Sequence, residues 1–264
     1  MESIKRYLSV LCVFARNSFL TNLEYRTNFF AGIFVEIGFT FAKLTYVFLI
    51  YETDININGM TPDYMLIFIG TYVFMTGIYM SFYGNFLNIS NQIKTGNLDV
   101  LITKPVSLLF ILSFQNIDFA MPIPCLISGV IMIGIGWVKC SIAVSLLNIS
   151  LFIIFLILGS ILTYALFLLP RLLSFWVVST NGISQICDSL WDFNNMPRGI
   201  YGRIIQNIGT FIIPIFLITN LPGMIIKEKS LFYMIVGVIA PAIFLWITLK
   251  IWKIGIKNYT SASS

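Results

Sequence analysis

The sequence predicts an all-α polytopic membrane protein. It has an N-terminal interfacial helix, six transmembrane helices, and a re-entrant hairpin on the outer side before the last span. Three observations carry this. Of the 264 residues, 58% are hydrophobic and 10% charged, with a mean hydropathy of +0.91. A soluble core of that length could not hide so much apolar surface. Several runs reach the roughly 20 apolar residues that cross hydrocarbon. The Lys and Arg residues collect in alternate loops, the bias that orients spans. One membrane domain over residues 1–264, with no soluble appendage, is the expectation. The net charge of +5 then speaks to orientation, and no nucleic-acid site is read into it.

Residues 3–24 read as an amphipathic helix, not a span. On a helical wheel Lys5, Arg6, Ser9, Arg16 and Asn17 share one sector, and Ile4, Tyr7, Leu8, Leu11, Phe14 and Ala15 the opposite one. Such a helix lies along lipid headgroups. A signal peptide is disfavoured because Arg16, Asn17 and the next apolar segment follow without a small-residue cleavage site. A lipoprotein signal at Ser9-Val10-Leu11-Cys12 fails because Leu11 is not small.

The first span, 28–51, carries Glu36 and Lys43 on one face. They are about 10 Å apart along the axis, too far for a direct bridge without help from long side chains. Charges at such depth face protein or water. Two readings stand: a polar stripe on a translocation path, or groups that each pair with a neighbouring helix or snorkel. The loop 52–63 has Glu52, Asp54 and Asp63 but no Lys or Arg, which places it outside. In the second span, 64–90, Gly70, Gly77 and Gly84 recur every seven residues, a pattern for close helix contact.

Between the second and third spans lies a polar interlude, 91–105. Gly96 is placed to break the preceding helix, and Asn97 or Asp99 to cap a short new one. Pro105 disfavours helical geometry at Lys104 and closes that piece. Leu98, Leu101 and Ile102 fall at i, i+3 and i+4, so one face docks while the other stays wet. A short capped helix between two spans is a rigid handle on which a soluble partner can push.

The third segment, 106–137, carries Asp118, Pro122 and Pro124 and is long enough to tilt or to bend at the prolines. The fourth span, 144–169, is ended by Pro170-Arg171. The fifth, 172–190, is amphipathic through Ser174, Ser179, Thr180, Asn181, Ser184 and Gln185. The sixth, 231–252, is followed by Lys253, Lys257 and a polar Ser/Thr tail. Hydropathy alone would make 204–226 a seventh span. Charge counting decides against it: six spans place ten basic residues inside and five outside, seven spans nine and six. The segment 194–226, with Pro197, Tyr201, Asn207, Pro214, Asn220 and Pro222, is then an outer re-entrant hairpin that must be buried in protein.

The chemistry is mostly an absence. There is no His, so no His-based nucleophile system or His-ligated metal site is available. There is no G-x-x-x-x-G-K-[ST] loop to cradle a nucleotide. Cys12, Cys125, Cys140 and Cys187 lack C-x-x-C spacing and read as buried small apolar side chains. Asp188 and Asp192, at i and i+4, read as a solvated membrane-edge face ahead of a divalent-ion site. The expectation is a chain with no catalytic residues, no metal and no bound cofactor.

In this order of elements the chain resembles the permease subunit of a type-2 ABC transporter, over essentially its whole length. Gly96…Leu98-Asp99…Leu101…Lys104-Pro105 is similar to the G-x-L-D-x-L-L-x-[RK]-P pattern of one branch of export permeases. Met196-Pro197…Ile200-Tyr201 and Phe211-x-x-Pro214…Pro222 are similar to that branch's second signature. The importer-type Glu-Ala-Ala loop is not found, which favours export. The resemblance implies half of a two-permease pore in the cell membrane, set in lipid and completed by a second copy or a paralogue. Two cytoplasmic ATPase subunits would bind ATP and Mg, and both termini of this chain would be cytoplasmic. Coupling then falls to Gly96, Leu98, Asp99, Leu101, Lys104 and Pro105, with help from the N-terminal helix. The outer hairpin is marked by Pro197, Tyr201, Pro214 and Pro222, and the translocation path by Glu36, Lys43 and Asp118. Aromatic-rich spans with few charges point to an amphipathic or lipophilic cargo: a peptide, an antibiotic or a lipid-like molecule. The competing readings are a stand-alone immunity or structural membrane protein and a membrane-embedded enzyme.

Overall fold

The computed structural model describes residues 2–53, 61–177 and 181–259. Most of the expected outer loop (54–60), residues 178–180 of the expected fifth span, and the tail from 260 lie outside the described residues. The described chain is helical throughout, with no strand. Helix α1 (Glu2–Glu24) passes through Tyr25 into α2 (Arg26–Thr53). Helix α3 (Pro62–Phe82) starts on Thr61, whose hydroxyl accepts from the Tyr64 N–H, and has Pro62 in its first turn. A 3-10 stretch (Tyr83–Asn88) leads into α4 (Ile89–Lys94), then α5 (Asn97–Ile102) and α6 (Leu108–Phe114). Helices α7 (Pro122–Lys139) and α8 (Leu146–Arg171) are long; a 3-10 turn (Leu172–Phe175) follows α8. Helix α9 (Asn181–Asp192) is short. Helix α10 (Arg203–Asn207) continues as a π turn (Ile208–Ile212), and α11 (Phe216–Glu228) and α12 (Leu231–Lys257) complete the order.

Among the described residues five helical stretches are long and apolar enough to cross a membrane: Arg26–Leu49, Pro62–Ile93, Pro122–Lys139, Leu146–Phe175 and Leu231–Lys257. The pair Arg203–Ile212 and Phe216–Glu228, bent by 97°, makes a sixth only if it is taken as one broken span. One expectation is resolved and another changes. Of the two readings of 106–137, a tilt or a bend at the prolines, the structure takes the second: the chain breaks between α6 and α7, before Pro122, which can start a helix but not continue one. The segment 172–190 is not a membrane-length helix. Its described part is the 3-10 turn and the 12-residue α9, about 18 Å at 1.5 Å per residue. Gln185, Asp188, Ser189 and Asp192 leave α9 one apolar face and no more.

The core is built around α3. Its partner α7 approaches at backbone distance because glycines face each other across the seam. A Cβ on Gly129 would sit 2.7 Å from the Phe74 nitrogen and 2.9 Å from the Gly70 oxygen; one on Gly70 would sit 2.8 Å from the Ile133 nitrogen. Gly136 makes the same kind of contact, its Cβ position 3.0 Å from the Ile67 nitrogen, while that of Gly77 is met by the Cys125 and Leu126 side chains at 3.0–3.1 Å. Gly84, the third of the sevenfold series, does not: nothing lies within 4 Å of its Cβ position. By residue 84 the chain has left the α-helix for the 3-10 stretch, so the heptad no longer points at α7. Helix α11 fills the other side of α3, with Gly223 against the Tyr64 ring, and meets α8 where Gly159 faces the Ile218 backbone.

Helix α1 forms as expected and packs along 107–119. Tyr7 and Phe14 sit on Phe110 with ring centroids at 4.9 and 6.2 Å. Ser18 Oγ accepts from the Ile117 N–H at 3.0 Å. Of the four cysteines, Cys125 and Cys187 are buried, Cys140 half-buried and Cys12 exposed. Cys12 departs from the expected pattern because α1 covers its neighbours on one narrow face only.

Candidate functional site

The handle 91–105 is built as a hinge and an anchor. Gly96 adopts φ 73°, a left-handed conformation that glycine enters without the Cβ penalty. It ends α4 and stands at the N-terminal boundary of α5, accepting from the Asp99 N–H at 3.1 Å. The expected cap at Asn97 or Asp99 is therefore not used: Asn97 is already helical, and Asp99 lies in the first turn. Leu98 is 0% exposed, in a hydrophobic cluster with Tyr83, Ile89, Leu112, Leu168, Leu172 and Trp252. Leu101 packs at its edge. Ile102 does not follow them. It is 47% exposed, and Val100 64%. The chain turns at Thr103 and Lys104, whose N–H bonds back to Leu101, and this lifts Ile102 off the cluster. Val100, Ile102, Lys104 and Pro105 thus form an outward tip on an anchored base.

Two distant pieces of chain support this base. Tyr259, just past α12, packs against the cluster that holds Leu98 of α5; burial there, and then the neighbouring Asp99 carboxylate, raise its hydroxyl above its ordinary pKa. The Tyr7 hydroxyl of α1 accepts from the Ser107 N–H at 3.2 Å, directly after the handle. Neither contact was legible as a specific pairing, since each joins residues about 100 or more apart.

The second site is a cavity of about 440 Å³ between α2, α3 and α9. Glu36, Lys43, Tyr72, Tyr79, Trp191 and Asp192 are among its lining residues. Glu36 is 2% exposed and accepts from the Cys125 thiol at 2.9 Å. Lys43 Nζ reaches to 3.9 Å from Glu36 Oε1 and lies 5.0 Å from the Tyr72 ring centroid. The four-carbon lysine stem thus closes the two-turn gap that the spacing left open. Trp191 stacks on Tyr79 at 4.5 Å, and Phe167 meets its ring at 5.5 Å. Behind Tyr79, Arg171 is 1% exposed, donates to the Phe167 carbonyl at 2.7 Å and lies 3.5 Å from Asp188.

Asp188 and Asp192 are both exposed, as expected of a wet face, but they do different things. Asp188 pairs with Arg171; Asp192 lines the cavity. The third residue expected on the path, Asp118, is not brought to the cavity. Its carboxylate accepts from the Ala120 N–H at 3.0 Å, and it lines a separate polar pocket with Asn17, Ser18, Asn22 and Gln115. Trp191 went unread in the sequence, and Arg171 was read only as part of the end of the fourth span, because a lone Trp or Arg at the end of an apolar run has no pattern that names its partners.

The hairpin residues do converge. Tyr201 lies between Phe193 and Phe216, ring centroids 5.6 and 5.0 Å away. Beside the buried Pro197, the Arg198 N–H donates to Asn220 Oδ1 at 2.8 Å, and its guanidinium donates to the Tyr233 hydroxyl at 2.7 Å. The 97° bend falls at Pro214. Pro222, expected to break the segment as well, lies inside α11 without interrupting it. It removes the hydrogen bond to the Ile218 carbonyl, and that carbonyl packs where Gly159 of α8 leaves room.

The helices define a multi-pass membrane protein, with a short helix whose tip is exposed between two of its spans and a chamber of mixed polarity beside α3. The family model for ABC-2 family transporter proteins matches residues 37–263, from within α2 to beyond α12, and the chain belongs to that family. Comparison with curated proteins and with solved structures gave no match. The family gives the chain a permease role alongside ABC ATPase subunits.

Proposed function

We propose that the chain forms half of the translocation pathway of an ATP-driven exporter, with a second copy or a paralogous permease as the other half. The observation that carries this is the handle: Leu98 wholly buried in the bundle while Val100 and Ile102, two and four residues on, stand in the open. An apolar tip on an anchored short helix is a surface for a protein partner. ATP- and Mg-binding subunits closing on that tip push the base, and the base moves the spans joined to it. The coupling is a two-state equilibrium biased by nucleotide. The handle and both termini are then cytoplasmic, and the 194–226 hairpin lies on the far side. This chain contributes no catalytic residue. Its cargo is amphipathic or lipophilic.

Asp99→Lys and Gly96→Val test the proposal. Lysine puts a cation at a helix N-terminus, where a carboxylate is favoured by roughly 0.3–1 kcal/mol. Valine at Gly96 is strained at a positive φ of 73°. Both should leave the spans inserted, and each should weaken capture of the ATPase or lower transport per ATP in reconstituted vesicles. Unchanged values for both variants would move the coupling surface elsewhere, with α1 the next place to look.

A further inference from the structure

We propose that the cavity between α2, α3 and α9 binds a cationic amphiphile. This rests on the exporter reading and adds the chemical class of the cargo.

The charges decide the sign. Glu36 and Lys43 meet at 3.9 Å and cancel. Lys43 is further engaged by the Tyr72 face and Glu36 by the Cys125 thiol, so neither is free to hold a ligand charge. Arg171 is outside the lining, 1% exposed and turned toward Asp188 and the Phe167 carbonyl. What remains in the wall is Asp192, exposed and with no ion-pair partner among the described residues. The chamber therefore carries one uncompensated negative charge.

The walls decide the rest. Tyr72, Tyr79 and Trp191 make the wall beside that carboxylate aromatic, and an aromatic wall favours a cationic head group over an anionic one. Met80 and Met121 supply soft apolar surface that adapts to irregular hydrocarbon. At about 440 Å³ the chamber is within the roughly 300–1,000 Å³ of small-molecule sites. An anionic cargo would meet Asp192 with no free cation to answer it. A neutral hydrocarbon would strand the carboxylate against apolar surface.

The test uses two probes of one shape and opposite charge, tetraphenylphosphonium and tetraphenylborate. Binding to the full chain is measured by equilibrium dialysis in nanodiscs of uncharged phosphatidylcholine, without ATP or ATPase. The phosphonium should bind saturably and the borate should not. Asp192→Asn should weaken phosphonium binding about tenfold, and Asp192→Glu should restore it. Asp192 is exposed, so neither variant threatens the fold. Saturable borate binding equal to that of the phosphonium, or an Asp192→Asn affinity equal to wild type, would overturn the proposal. Since no ATPase enters the measurement, that failure is distinct from loss of the exporter reading, which ATPase capture decides.

Discussion

Helices α2 and α3 are near equals in hydropathy, yet 17% of the membrane stretch of α2 is buried against 72% of that of α3. The contacts differ in kind as well as amount. Helix α3 is held at backbone distance, glycine to glycine, by α7. Helix α2 meets the bundle through Glu36, Thr40, Lys43 and Val47, a line at intervals of four, three and four that is mostly polar. That line is not fully satisfied: the Thr40 hydroxyl is buried without a hydrogen-bond partner. Backbone-to-backbone packing has one good arrangement and resists displacement. Hydrogen bonds and ion pairs between side chains can lengthen and re-form, so such a contact tolerates movement of one helix against the other. The pair of helices thus reads as a fixed keel and a movable wall, with the cavity between them.

The largest expected effect comes from breaking the keel. Gly129→Leu drives a side chain into the Phe74 and Gly70 backbone, where no flexible neighbour can give way. Overpacking of this kind costs about 3 kcal/mol. Thermal unfolding in detergent should show a large loss of stability, with little folded protein recovered by gel filtration. The matched change in the wall, Gly38→Leu, meets nothing within 4 Å and should be tolerated. If the two variants melt alike, the distinction between keel and wall fails.

A middle-sized effect should come from the polar line. Glu36→Leu leaves Lys43 without its counter-ion and the Cys125 thiol without an acceptor. Breaking a buried pair from one side is worse than removing both charges, because the survivor is left uncompensated. The single variant should lose about 1–3 kcal/mol, and adding Lys43→Leu should recover part of it, a coupling that a double-mutant cycle measures. The double variant should insert normally yet show altered transport or cargo-stimulated ATPase. Full additivity together with normal transport would make the line passive.

How much of this was legible follows from which contacts are local. Glu36 and Lys43 share a face by helical period alone, and their inward placement follows from the cost of charge in lipid. Leu98 was legible in the same way, as the docked face of a short helix. Ile102 was not, because its exposure depends on where the chain turns after Leu101. The fifth segment misled because its apolar content suffices for a span, whereas its polar residues confine it to a 12-residue helix beside Tyr79 and Arg171. Pro222 misled because a proline breaks a helix only where the released carbonyl lacks a place to go. Tertiary partners decided each of these, and periodicity does not name tertiary partners.

The smallest effect is the sharpest check on the reading of α3. Gly70, Gly77 and Gly84 are indistinguishable in the sequence, one heptad apart on one nominal face. In the structure the first two lie in the seam and the third does not. Gly70→Ala puts a methyl 2.8 Å from the Ile133 nitrogen, a backbone atom, so the helices must part. Gly84→Ala places its methyl in open space, and its φ is not in the positive region that disfavours alanine. The remaining consequence is on the unfolded chain, which loses freedom when glycine becomes alanine, a gain of about 0.4–1 kcal/mol where the native backbone accepts the change. Gly84→Ala should therefore melt at or slightly above wild type while Gly70→Ala melts below it. Equal losses at both positions would mean that α3 stays helical through residue 84 and that the seam with α7 runs its full length.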